Sequence, residues 1–272
     1  MRRQILGVNI MGTDNLAETQ TQWLVETQWL EQHLDDPELR IFDCTVKRWI
    51  DEDGVFCVER GDAEYEKGHI PGAAHLDLVQ DLSDPESALR FALPTAERFA
   101  AAVSRQGVSN DSRVVLYGTR EIHYVTRVWW MFRVFGFDNV TLLDGGWQAW
   151  SRENRPVSTD APNHSRGAFT PRFKPEMVAD QAAVVAAGEN PGTCLINALA
   201  PELHSGKTHI HFGARDQTSR PGRIPGSVNV WVNDLIDPET NKFLPLHLLQ
   251  AKFEEVGAIG GDEKAGGGII TY

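Results

Sequence analysis

Gly68-His69-Ile70-Pro71-Gly72-Ala73 returns 154 positions further on as Gly222-Arg223-Ile224-Pro225-Gly226-Ser227. Other matches fall around it in the same order. Asp81-Leu82-Ser83-Asp84-Pro85-Glu86-Ser87 is echoed by Asp234-Leu235-Ile236-Asp237-Pro238-Glu239-Thr240, Leu93-Pro94 by Leu244-Pro245, and Phe99 by Phe253. Val114-Val115-Leu116-Tyr117 answers to Ile269-Ile270-Thr271-Tyr272. The spacing drifts only slightly between matches, as loop insertions produce. The period is far too long for a solenoid unit, so each copy is a domain. Between the copies, 154–175 is rich in Pro, Ser, Asn and Arg and reads as a linker. The expected layout is a disordered extension over 1–18, a first domain over 19–153, the linker, and a second domain over 176–272.

Within the first copy, helical and strand patterns alternate. Apolar residues at helical spacing predict a helix over 22–34, followed by a strand over 40–43. Pro94 opens a helix that runs to Gln106 and is ended by Gly107. Val114–Tyr117 is a short apolar run, as a strand buried on both faces requires. A helix over 124–135, a strand over 140–143 and a helix over 146–152 follow. The expected fold class is α/β, two tandem domains each with a mostly parallel sheet flanked by helices, the second incomplete.

Composition excludes several functions. A net charge of −12 over 272 residues opposes nucleic-acid binding, since phosphates would be repelled. No run approaches the ~20 apolar residues a bilayer span needs. Ile5–Val8 follows two arginines, but Asn9 and Asp14 interrupt it and no small-residue cleavage site follows, so a secretory signal is not read here. Three cysteines without paired spacing support neither a disulfide framework nor a zinc site. A cytoplasmic protein handling a small molecule is the expectation.

In open α/β sheets ligands sit at the carboxyl ends of the strands. The loop after Tyr117, and its counterpart after Tyr272, are therefore the first places to look for chemistry. Such a strand–loop–helix turn aims several backbone N–H groups at one anion. A cysteine there would ionise readily and act as a nucleophile.

The repeated G-[HR]-I-P-G-[AS] motif, the run Leu143-Asp144-Gly145-Gly146-Trp147-Gln148-Ala149-Trp150 and the strand–loop–helix plan resemble the tandem rhodaneses, over roughly residues 20 to 272. That family comprises thiosulfate and 3-mercaptopyruvate sulfurtransferases. The resemblance implies a double displacement in which a second-domain cysteine takes a sulfane sulfur, becomes a persulfide and passes the sulfur to cyanide or a thiol. It implies a small anionic sulfur donor and a thiophilic acceptor as partners. It implies no metal or organic cofactor, because the sulfur rides on the enzyme's own cysteine. The first domain is expected to be silent, since Gly118-Thr119-Arg120-Glu121-Ile122-His123 follows Tyr117 without a thiol. The nucleophile is expected immediately after Tyr272, so the 272 residues are read as truncated before the catalytic loop and inactive as they stand. A rhodanese pseudoenzyme that binds an anion or a protein is the alternative.

The resemblance places donor-binding arginines ahead of the second-domain motif. Arg215 is the first choice and Arg220 the second, each able to fork onto a carboxylate or sulfonate. Arg223 stands where the motif usually has histidine. His69, the first-domain motif histidine, is either a polar group of the binding cleft or a turn residue beside Pro71-Gly72. Cys44 directly after the first strand, Cys57 in a loop between Phe56 and Val58, and Cys194 in a buried strand are all read as structural. Asp43 ends the first strand and is expected to hold a local hydrogen-bond network.

Overall fold

Short strands rich in Val, Ile and Leu and apolar on both sides pair in parallel and are covered by helices. The computed structural model describes residues 23–190, 192–211, 220–259 and 268–272. The extension over 1–18 and Arg215 lie outside the described residues. In chain order the elements are β1 (Leu24–Val25), α1 (Thr27–Gln32), β2 (Leu39–Asp43), β3 (Val46–Ile50), β4 (Phe56–Arg60), α2 (Asp62–Tyr65) and β5 (Ala73–His75). Then come α3 (Ala96–Arg105), β6 (Arg113–Tyr117), α4 (Ile122–Val134), β7 (Val140–Leu143) and α5 (Gly146–Arg152). The second copy supplies α6 (Gln181–Glu189), β8 (Cys194–Asn197), α7 (Pro201–His204), β9 (Val228–Asn229), α8 (Leu246–Glu255) and β10 (Ile269–Thr271).

Five strands in the order β1-β7-β6-β2-β5 form one wholly parallel sheet. Three more, β10-β8-β9, form a second parallel sheet. β3 and β4 make an antiparallel hairpin. The expected α/β class with parallel sheets is what the chain adopts. Two compact units result: Thr21–Pro175 with Thr240–Lys242, and Glu176–Glu239 with Phe243–Tyr272. No helix of the described residues is long and apolar enough to cross a membrane.

The sequence repeat is also a structural one. β10-β8-β9 reproduces the strands β6-β2-β5 in the same order. Hydrogen bonds repeat with it. Cys44 N donates to Tyr117 O at 2.8 Å, as Ala198 N does to Tyr272 O at 3.0 Å. Leu76 N donates to Asp43 O at 2.9 Å, as Val230 N does to Asn197 O at 3.0 Å.

Two expectations need correction. The helix over 22–34 is in fact an edge strand, β1, followed by the shorter α1. Leu24 and Val25 pair with Leu142 and Leu143, and Asp144 N donates to Val25 O at 2.9 Å. The free edge of β7 captures residues whose own spacing suits a helix, a tertiary override of a local pattern. Cys57, expected in a loop, lies in β4 opposite Trp49.

The first unit is packed around Leu30, Ile41, Ile70, Val115, Tyr117 and Trp150. Burying each such side chain contributes roughly 1.5–3 kcal/mol. The 154–175 stretch lies along this unit. Trp150 Nε1 donates to Pro156 O at 2.7 Å, His69 and Ser158 exchange two backbone bonds of 2.9 Å, and Phe169 is buried.

Candidate active site

The repeated motif is a turn that feeds a strand into the sheet. In Ile70-Pro71-Gly72-Ala73, Ala73 N returns to Ile70 O at 2.9 Å, and Gly72 has φ +79°. Ser227 N returns to Ile224 O at 3.1 Å across the second copy, where Gly226 has φ +81°. Proline followed by a residue at positive φ is a type II arrangement, which is why the motif reads Pro-Gly. Each turn is tied to the strand-end tyrosine. Tyr117 OH accepts from Ile70 N at 3.3 Å, and Tyr272 OH accepts from Ile224 N at 2.9 Å. Ser227 Oγ lies 2.7 Å from Tyr272 OH.

In the first unit the carboxyl ends of β2 and β6 meet at the switch point of the sheet, where the chain leaves in opposite directions. A hydroxyl latch closes this crevice. Thr45 Oγ1 accepts from Thr119 N at 2.9 Å, lies 3.1 Å from Thr119 Oγ1 and donates to Asp43 Oδ1. Gly118 O accepts from Trp147 N at 3.1 Å, and Thr119 O from Gln148 Nε2 at 2.9 Å. Arg120 pairs with Glu64 at 2.9 Å and Arg48 with Glu121 at 2.6 Å. The Thr119 amide, which could otherwise face an anion, is thus already committed. Asp43 is wholly buried, its Oδ2 accepts no hydrogen bond, and burial raises its pKa.

The corresponding place in the second unit is formed by β8, β9 and β10. Asn197 stands where Asp43 stands, its Oδ1 accepting from Leu199 N at 3.1 Å. Asn229 Nδ2 donates to Asn197 O at 2.9 Å and Leu199 O at 2.8 Å. Leu199, aligned with Thr45, carries no hydroxyl and is half exposed, so it cannot make the hydrogen bonds that Thr45 makes in the first unit. Arg220 and Arg223 are exposed on the segment leading into β9.

His69 is 1% exposed, in the first unit. Its ring stacks on Tyr65 with centroids 3.9 Å apart, Nδ1 lies 2.9 Å from Tyr65 O, and Nε2 lies 3.0 Å from Asp160 O. Both nitrogens therefore face backbone carbonyls that join α2 to the 154–175 stretch. The Thr45–Thr119 latch escaped the sequence reading. Its only trace is that each threonine stands two residues beyond a strand-end residue, Asp43 or Tyr117.

None of the three thiols meets the needs of a nucleophile. Cys44 is fully buried beside Asp43, and burial, then that carboxylate, push its pKa well up. Cys57 Sγ lies 3.6 Å from Asp51 Oδ2, and burial followed by the Asp51 charge raises its pKa. Cys194 pairs with Ile269 at the amino end of β8, opposite the end where such sheets bind ligands. Among the described residues no three His, Cys, Asp or Glu side chains converge as a metal site.

Comparison with known proteins agrees with this architecture. Residues 26–153 match the family described as the rhodanese-like domain. The 3-mercaptopyruvate sulfurtransferase of Escherichia coli is 33% identical over 220 residues, which are 79% of this chain and 73% of that protein. The sulfur carrier protein TtuD of Thermus thermophilus is 30% identical over 240 residues, 86% of this chain and 78% of that one. The crystal structure of SseA from Escherichia coli, described as a 3-mercaptopyruvate sulfotransferase, superposes with a TM-score of 0.76 at 31% identity. That likeness covers 92% of this chain and 87% of the other.

Proposed function

The chain belongs to the rhodanese family, as a sulfurtransferase of the 3-mercaptopyruvate and thiosulfate type, and from that membership we propose a persulfide mechanism located in the second unit. A cysteine thiolate attacks the outer sulfur of thiosulfate, and the S–S bond breaks with sulfite as the leaving group. With 3-mercaptopyruvate, the thiolate attacks the mercapto sulfur, the C–S bond breaks, and the carbon leaves as the enolate of pyruvate, which takes up the proton that the mercapto sulfur gives up. Cyanide or a thiolate then attacks the persulfide sulfur, takes it away and restores the thiolate.

The observation that carries this reading is the pseudo-symmetric placement of Tyr117 and Tyr272. Tyr117 ends β6 and Tyr272 directly follows β10, strands paired in parallel with β2 and β8, and both tyrosines anchor the motif turn through the phenol. A cysteine placed directly after Tyr272 would occupy the position that Gly118 has after Tyr117, at the carboxyl end of a parallel strand. Backbone amides of a loop there would stabilise the anionic sulfur. Arg215, with Arg220 as second choice, would supply the fork for the anionic donor. The unsuitability of Cys44, Cys57 and Cys194 supports a thiol other than these three.

Sulfur transfer from thiosulfate to cyanide tests the reading directly. Residues 1–272 should show no turnover, and the polypeptide continued through a Cys-initiated loop should show it. Turnover by 1–272 that survives replacement of all three cysteines by serine would end the proposal.

A further inference from the structure

The β3–β4 ribbon of the first unit is a sheet of two strands with no further strand beside it among the described residues. Asp51 N donates to Val55 O at 3.0 Å, so the hydrogen-bonded pairs of the ribbon fall at Trp49–Cys57 and Lys47–Glu59. The backbone N–H and C=O groups of Arg48 and Ile50 therefore point away from β4, along the outer edge of β3. Among the described residues nothing hydrogen-bonds to them there. The base of the ribbon is held to the unit by Val46, which is buried, and by the Arg48–Glu121 pair. Its far end is open, with Trp49 39% exposed and Ile50 59%. An unpaired edge with large apolar side chains on it invites another strand.

Proteins often blunt such edges with charge, lysine above all. On β3 the charges select a partner. Two copies of one edge related by a two-fold axis pair antiparallel, and the position of the axis decides which residues face each other. An axis at Arg48 sets that residue against its own copy, like charge on like. An axis at Ile50 runs the pairing into the turn that follows β3. An axis at Trp49 sets Lys47 against Asp51 of the partner subunit. It also lets Arg48 exchange backbone bonds with Ile50 of the partner subunit, and brings the two indoles together in the close, non-hydrogen-bonded pair. Both charged groups already lie on the face this needs. Lys47 pairs with Glu59, and its Nζ is 5.4 Å from the centre of the Trp49 ring. Asp51 Oδ1 accepts from Asp53 N at 3.0 Å and Val55 N at 2.8 Å, which fixes the carboxylate. No cation pairs with Asp51 among the described residues.

We propose that the first unit joins a second copy of this chain edge to edge at β3, in antiparallel register centred on Trp49. The two ribbons then form one continuous antiparallel sheet. A single strand pair falls short of the roughly 1,200 Å² that stable interfaces bury, so the dimer forms and parts with concentration. The ribbon shares no residue with the proposed sulfur transfer, so either reading can fail without the other.

Sedimentation velocity of the full 272-residue chain tests the proposal. It is run from about 1 to about 500 µM in about 0.15 M salt, which screens the repulsion between two acidic chains. Monomer is expected at the low end and dimer at the high end. Ile50→Pro removes an outward N–H that β4 does not use, and should weaken association about tenfold or more. Asp51→Asn keeps the acceptor of the turn and loses the charge, and should weaken it a few-fold. Register is read by oxidative cross-linking in a background with Cys57 and Cys194 replaced by serine. Trp49→Cys should give a disulfide-linked dimer, because the close pair suits that bond, and Lys47→Cys, which faces position 51, should give none. Three outcomes would overturn the proposal: a monomer at every concentration, a dimer that Ile50→Pro leaves intact, or cross-linking at position 47 as ready as at 49. If Ile50→Pro fails to fold, the two cysteine variants, both at solvent-facing side chains, decide the matter.

Discussion

Asp43 and Asn197 hold the same place in the two repeats, and each accepts a hydrogen bond from the backbone N–H two residues on, at 2.8 Å and 3.1 Å. The difference is one ionisable proton. Burial raises the Asp43 pKa, so folding favours the protonated acid. That stabilisation is full below the unfolded pKa and is lost as pH rises through the higher folded one. Asp43→Asn should therefore abolish this slope in urea unfolding measured from about pH 3 to about pH 7. An unchanged slope would mean the carboxylate is compensated by groups other than those around it here. Arg215 is a residue-scale proposal of another kind. In the polypeptide that carries the thiol, Arg215→Ala should raise KM for the anionic donor about tenfold with a smaller effect on kcat. Unchanged kinetics would move the donor site to Arg220 or elsewhere.

At the scale of elements, α3 shows how a local signal sharpens in the fold. Pro94 announces the helix, but Thr95 is the cap, its Oγ1 accepting from Arg98 N at 3.2 Å. Thr95→Ala should cost about 1 kcal/mol in urea unfolding, and a Ser replacement should restore most of it. β6, β7, α4 and α5 were legible because their apolar runs have a single sensible partner, the middle of a parallel sheet. The first helical pattern misled for the converse reason. Trp23, Leu24, Trp29 and Leu30 suit a helix face, yet two of the intervening backbone units are worth more as hydrogen bonds on the edge of β7. The β3–β4 hairpin was not foreseen, since the polar residues Lys47, Arg48 and Glu59 on it blur the alternation that would mark an exposed ribbon.

Over the whole molecule, the two units differ in how much they bury. The first centres on a cluster with Leu30, Tyr117 and Trp150, whereas the second, among the described residues, centres on Ile196, Val230 and Ala258. Local opening free energy follows buried apolar contact. Amides of Leu195–Asn197 should accordingly exchange about tenfold faster or more than those of Ile41–Asp43, read by hydrogen exchange with mass spectrometry. Equal protection would show that burial in the second unit is greater than its described residues provide. The duplication, the parallel α/β class and the lack of a thiol in the loop after Tyr117 were written in the order of residue types, because repeat spacing, buried-strand runs and the presence or absence of a thiol are linear properties of a chain. Which oxygen closes the crevice, whether a thiol lies at the carboxyl or amino end of its strand, and where Arg120 meets Glu64 were decided only by tertiary structure. Those facts depend on contacts between segments far apart in sequence, whose partners no local pattern names.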